Sequence, residues 1–166
     1  MADLQLRAVE PGDANQLLAW ENDLDHWQVS GTQIPYSLES IYQFIENQQS
    51  DIYISKQVRL IMDLNGKAIG CIDLFEFDPS NYRAGVGILV DKAERGKGYG
   101  LKALLGLETY AKRLHLHQLY AHIGKSNSSS INLFIKAGFQ PSGELIDWIK
   151  TSKSWENAIL MQKILE

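Results

Sequence analysis

The chain has 166 residues, 45% hydrophobic and 22% charged, which suits one folded domain with a sizeable core and excludes a disordered chain. With a net charge of −4, no Lys/Arg cluster interleaved with aromatics and no apolar run near the ~20 residues that cross a bilayer, the sequence excludes nucleic acid and membrane as partners. Cys71 is the only cysteine, so there is no internal disulfide or cysteine-based zinc site, and no metal is expected.

In chain order, Leu4 to Ala8 reads as a short strand. A helix is expected from about Asp13, as its cap, to Asp23, and a second after Ser37 to about Gln49, with Asp25 to Tyr36 as the connection. Gln57 to Leu64, the pair Asn65-Gly66 and Lys67 to Phe77 form a hairpin signal, because Asn-Gly supplies the positive φ angles of a tight turn. Asp78-Pro79-Ser80-Asn81 marks the next turn, before the apolar run Ala84 to Val90. An amphipathic stretch, Leu101 to Leu114, predicts a helix. A strand at Gln118 to Ile123, a helix from about Ser128 to Ala137 and two strands at Glu144 to Lys150 and Ala158 to Ile164 complete the chain. Strands joined by short turns, with helices at the start and after the middle, give an α+β or mixed α/β sheet in one domain, residues 1–166.

Between the run Ala84 to Val90 and the following helix lies Arg95-Gly96-Lys97-Gly98-Tyr99-Gly100. A strand, a glycine turn and a helix start make an anion cradle: backbone N–H groups approach closely where side chains are missing, and the first helical turn leaves donors unpaired. A tight turn without a ligand uses the same residues. The loop is neither a P-loop nor G-x-G-x-x-G; its pattern is R-x-x-G-x-G. Charge is distributed to match: residues 1–50 carry eight acidic side chains and one basic, whereas residues 91–136 carry eight basic and three acidic. The basic segment suits a polyanionic cofactor and the acidic one a cationic second substrate, or both are solvated faces.

About 30 residues after the cradle comes Asn127-Ser128-Ser129-Ser130-Ile131-Asn132-Leu133-Phe134-Ile135-Lys136-Ala137-Gly138-Phe139. R-x-x-G-x-G followed by N-x-x-S-x-x-L-F-x-K-x-G-F resembles the GCN5-related N-acetyltransferases (GNAT), over nearly the whole chain, and within them the spermidine N-acetyltransferases and the enzymes that acetylate ribosomal-protein N-termini. The resemblance implies a mostly antiparallel sheet of about seven strands with a splayed parallel pair, flanked by about four helices, and acetyl-CoA as cofactor. It places pyrophosphate on Arg95, Gly96, Lys97, Gly98, Tyr99, Gly100 and Leu101, and pantetheine along Ile88, Leu89 and Val90, with an N–H near Leu89 as oxyanion donor. It gives cofactor contacts to Asn127, which is equally a helix N-cap, and to Ser130, Phe134 and Lys136.

Acetyl transfer needs a neutral amine, a polarised carbonyl and a proton for the leaving thiolate. Relatives with tyrosine at the position of Phe134 use it as the acid; here Ser130, four residues earlier on the same helix face, is the candidate, or no acid is used. The glutamate that spermidine acetyltransferases carry near the start of the cradle strand is replaced by Arg83-Ala84-Gly85. His122, sharing a strand face with Tyr120 opposite Leu119, Ala121 and Ile123, is the candidate base. Asp73 and Glu76 have opposite parity, so only one is expected to face a substrate. Glu21, Asp23 and Asp25 are candidates to orient a cationic amine. Of the aromatics Trp20, Trp27, Tyr36, Tyr42 and Phe44, most are expected in the core, with Trp27 and Tyr36 as acceptor-site wall or lid. The expected protein is a cytoplasmic N-acetyltransferase for a small primary amine such as a polyamine, with a protein N-terminus or a non-catalytic acyl-CoA-binding module as alternatives. Exposed sheet edges suit a homodimer.

Overall fold

The computed structural model describes residues 3–30, 32–48 and 51–166. Its framework is a seven-stranded sheet in the order β1-β2-β3-β4-β5-β7-β6, formed by β1 (Leu4–Ala8), β2 (Val58–Leu64), β3 (Lys67–Asp78), β4 (Arg83–Val90), β5 (Gln118–Gly124), β6 (Gln140–Lys150) and β7 (Trp155–Ile164). Every pairing is antiparallel except β4–β5. The hairpin β2–β3 turns at Asn65 and Gly66, at φ 54° and 83°, as Asn-Gly dictates.

Helices cover both faces. On one, α1 (Ala14–Glu21) and α3 (Leu38–Asn47) pack Leu17, Trp20, Ile41 and Ile45 onto Ile61 and Cys71. On the other, α5 (Tyr99–Arg113) and α6 (Ser128–Lys136) pack Leu104, Leu107 and Phe134 onto Met62, Ile72, Leu74, Leu119 and Met161. Two helices exceed the expected set: α2 (Leu24–Ser30), which overlaps the segment Asp25 to Tyr36 read as a connection, and the single turn α4 (Ile52–Ser55). Helix α1 ends with Asn22 as its C-cap, and α2 starts anew because the Asp23 carboxylate accepts from the Asp25 N–H at 3.0 Å and its carbonyl takes the His26 N–H. Gly31 and the expected helix end at Gln49 lie outside the described residues. No helix among those described is long and apolar enough to cross a membrane.

Asp13 holds the N-cap position of α1, as expected, but its side chain makes no hydrogen bond to that helix. A 3₁₀ turn at Pro11–Asp13 precedes that helix, and the buried carboxylate instead takes both Arg7 guanidinium Nη atoms, at 2.8 and 2.9 Å, and the Glu10 N–H. Arg7 also donates to Asp63 at 2.7 Å, tying β1, the helix entry and β2 together. The Arg7 hydrogen bond holds Asp13 below its ordinary value. Such a carboxylate stabilises the fold fully above its unfolded pKa near 4, and that contribution is lost as pH falls through the lower folded value. Asp13→Asn is expected to cost about 2 kcal/mol at pH 7. The gap from the parent should close as denaturation is repeated down to pH 3; a gap constant with pH would refute the assignment.

Candidate active site

The sheet opens at β4–β5. Only Arg83, Ala84 and Gly85 pair with Gln118, Leu119 and Tyr120, so from Val86 to Val90 the β5-facing edge of β4 has no strand partner. Asp91 N–H bonds the Ile69 carbonyl and Leu89 lies opposite Cys71. By antiparallel alternation, Leu89 turns its N–H toward β3, whereas Ile88 and Val90 turn theirs into the split. The Leu89 backbone is therefore not the free donor; the donors at this edge belong to Ile88 and Val90.

A cleft of about 950 Å³ occupies the split. It is lined by Ile88 and Leu89 of β4, by Arg95, by His122 of β5, by Asn127, Ser130 and Phe134 at α6, and by Glu21, His26, Tyr36, Phe44, Arg59 and Asp73 on the α1–α3 side. Val90 borders a small adjoining pocket, and its carbonyl accepts from Arg95 Nε at 3.0 Å. Beyond it Gly96 and Gly98 hold φ of 75° and 82°, with open space where a Cβ would project. Gly98 leads into α5, whose first-turn N–H groups lack intrahelical acceptors. Gly100 is there for packing, since a Cβ would meet Leu133 at 3.0 Å. Tyr99 and Leu101 pack their side chains on the core, and Lys97 is paired with Glu94 at 2.8 Å, so the cradle rests on backbone donors more than on lysine charge. Lys136 is exposed at the end of α6 and is not part of the cleft wall.

The cradle, the one-sided strand edge and the cleft between them fit a long anionic cofactor with an extended arm. The family model for an acetyltransferase (GNAT) domain matches residues 3–140. The chain belongs to the GNAT acetyltransferases. It is 27% identical to the spermidine N(1)-acetyltransferase of Escherichia coli (strain K12) over 128 residues, 76% of this chain and 68% of that protein. It is 29% identical to an L-methionine sulfoximine/L-methionine sulfone acetyltransferase of Pseudomonas aeruginosa over 107 residues, 63% of this chain and 62% of that protein. Its fold matches spermidine N-acetyltransferase from Vibrio cholerae in complex with CoA and spermine, with TM-score 0.88 and 21% identity, covering 98% and 95% of the two chains. A dodecameric structure of the Vibrio enzyme matches with TM-score 0.80 and 23% identity over 98% and 94%. As a GNAT enzyme, this chain transfers acetyl from acetyl-CoA to an amine.

Around the GNAT cleft, Asn127 caps α6 by accepting the Ser130 N–H at 3.2 Å while lining the wall, and Ser130 and Phe134 line the same wall. Phe134 is buried edge-on against Phe139, centroids 4.9 Å apart. Cys71 borders the cleft, but burial pushes its thiol up to about 12, too high for a nucleophile at neutral pH. No metal-ligand cluster occurs among the described residues.

The carboxylates differ from one another in what already holds them. Arg59, unforeseen from the sequence, donates to Asp73 at 2.8 and 2.7 Å and to Glu21 at 2.5 Å, with its guanidinium 5.0 Å from the Phe44 ring centroid. Burial opposes its charge, but the two carboxylates outweigh that, and its pKa is raised well above the ordinary value. Asp23 and Asp25 are both paired with Lys92 at 2.8 Å. Glu76 escapes the parity rule: β3 carries a bulge between Phe75 and Asp78, Glu76 sits at φ 49°, and its carboxylate accepts the Tyr120 hydroxyl at 2.5 Å. Glu156, also unforeseen, lines the cleft and accepts the Ser126 N–H at 2.6 Å.

Tyr36 lines the cleft, clamped through its backbone by Asn22 at 2.8 and 2.9 Å. Trp27 does not line it; its indole donates to the Glu21 carbonyl at 2.7 Å. Trp20 is buried, whereas Tyr42 is exposed rather than core. His26, a further imidazole that the sequence reading missed, faces the cleft from α2, and burial lowers its pKa.

Proposed function

We propose that residues 1–166 form one domain that acetylates a primary amine of a polyamine or similar small organic cation, in the cytoplasm, as a homo-oligomer of which a dimer is the minimal unit. The observation that carries the acceptor class is the acidic balance of the cleft wall, where Glu21, Asp73 and Glu156 stand against the arginines Arg59 and Arg95, with Glu76 nearby on Tyr120 and without a lysine or arginine partner among the described residues. Such a wall favours a cationic acceptor over an anionic one.

Acetyl-CoA supplies the activated acetyl thioester; the cradle Arg95–Leu101 holds the phosphates, and the open edge of β4 receives the arm. The Ile88 and Val90 N–H groups are donors for negative charge developing on the carbonyl oxygen. An amine must lose its proton to attack, and His122 takes it. His26, whose burial favours the neutral imidazole, is the second base at the cleft. Ser130 offers its hydroxyl to the leaving sulfur, the role that Phe134 is chemically unable to fill. Ser130→Ala is expected to lower kcat on the order of tenfold while the KM for acetyl-CoA moves less than twofold; an unchanged kcat would leave Ser130 as wall only.

The deciding experiment is thiol release from acetyl-CoA by the purified protein with spermidine, spermine, L-methionine sulfoximine and peptides with free N-termini. Release that depends on spermidine or spermine is expected. Preference for the amino acid analogue or the peptides, or no release at all, would overturn the reading.

A further inference from the structure

Four rings form a continuous row across the sheet face above the split. Phe75 of β3 meets Tyr120 of β5 edge-on at 6.4 Å, Tyr120 meets His122 at 5.5 Å, and His122 meets Trp148 of β6 edge-on at 5.7 Å. Three local features build the row. Gly85 and Gly87 leave β4 bare, and a Cβ on Gly85 would lie 2.4 Å from the Phe75 ring, so the glycine is what lets Phe75 cross β4 toward β5. The β3 bulge turns Phe77 into the core and leaves Phe75 and Glu76 beside Tyr120. A second irregularity, between Leu145 and Ile149 with Asp147 at φ 49°, carries Trp148 over to His122. Bulges re-aim side chains in this way, commonly beside active sites.

The row joins the cleft, because Phe75 and His122 line both. It is also open: Trp148 is 55% exposed, and His122 and Glu76 are exposed. Among the described residues no lysine or arginine pairs with Glu76, in contrast to Glu21, Asp73, Asp23 and Asp25. The nearby Arg83 is engaged by Asp78 at 3.3 Å. Exposed aromatic surface, here the Trp148 ring, with a carboxylate at the other end of the row attracts organic cations that carry apolar methylene bridges. Ring spacings of 5.5 to 6.4 Å are of the order of the span between nitrogens joined by three or four methylenes.

We infer that the rings flanking His122, Trp148 on one side and Tyr120 with Glu76 on the other, form a subsite for the distal ammonium groups of an extended polyamine whose terminal amine reaches His122 in the cleft. This rests on the polyamine reading above and deepens it: the strip selects acceptors by the number of charges along the chain. A monoamine reaches His122 in the cleft and has no second charge to place on Trp148 or beside Glu76.

The test is the ratio of kcat/KM for spermidine to that for n-propylamine, in the parent, Trp148→Ala, Trp148→Phe and Glu76→Gln. The ratio should fall about tenfold in Trp148→Ala and in Glu76→Gln, the size of one good cation contact, and stay within threefold of the parent in Trp148→Phe, which keeps a π face. Equal losses on both amines, or an unchanged ratio, would overturn the subsite while leaving polyamine acetylation standing. A parent protein that acetylates neither amine would overturn both.

Discussion

Replacing Arg59 with methionine is expected to destabilise the protein by about 3 kcal/mol, because truncating one member of a buried ionic group strands its partners. The Arg59 side chain is only 17% exposed, and those of Glu21 and Asp73 are 13% and 24% exposed. Methionine fills most of the volume but leaves two carboxylates facing each other in a poorly solvated cleft wall, without the cation that joins α1, β2 and β3. For a chain of this length the loss corresponds to roughly 10 °C in Tm. The pH dependence gives the sign of the cause. Uncompensated neighbouring carboxylates bind protons more tightly folded than unfolded, so the variant should regain stability relative to the parent as pH falls from 7 toward 5. Combining Arg59→Met with Glu21→Gln and Asp73→Asn should restore most of the loss at pH 7, since neutral partners need no counter-charge. Melting curves of the parent, the single and the triple variant decide it. A single variant within 2 °C of the parent, or a triple variant no better than the single, would show that the ion triad contributes little to folding.

The same triad shows where sequence reasoning stops. Glu21 lies 38 residues from Arg59 in the chain, and nothing local marks the pairing, so Glu21 and Asp73 read as acids available to a cationic acceptor. What is local in cause was legible. Asn65-Gly66 forces its turn, Gly96 and Gly98 require left-handed φ, and Asn127 caps the helix it precedes; each follows from the conformational reach of one or two residues. Seven strands and the splayed pair followed from the family resemblance, because two motifs in order imply a fold that periodicity alone leaves open.

Strand phase was the main loss. Alternation tells which residues share a face, but not which of two neighbours turns its N–H toward a given partner strand. Leu89 therefore stood where Ile88 and Val90 belong, and only the Asp91 to Ile69 bond fixes the choice. Bulges break alternation further. Glu76 and Asp147 adopt φ of 49° without being glycine, so neither announces itself, and the two residues decide which aromatic side chains meet over the split.

Introducing glutamate at Gly98 is expected to raise the KM for acetyl-CoA about 100-fold, equivalent to about 2.7 kcal/mol of lost binding. Gly98 sits at φ 82° and ψ 1° at the entrance to α5, with no atom within 4 Å of the place a Cβ would take. A side chain there meets no steric obstacle from the protein, yet it enters the space in front of the first-turn donors. Two separable effects follow. A left-handed conformation costs any L-residue about 1 kcal/mol, and Gly98→Ala carries that strain with almost nothing projecting; its KM should rise only a few-fold. Glutamate adds a carboxylate that competes for the same N–H groups and repels phosphate, and it is this second effect that accounts for the larger part of the 100-fold. Saturating acetyl-CoA should recover most of kcat in both variants, because the Ile88 and Val90 edge and the α6 wall are untouched. Initial rates of thiol release against acetyl-CoA concentration separate the cases. If the glutamate variant raises KM no more than the alanine variant, the glycine loop is a turn and the phosphates bind elsewhere on the chain.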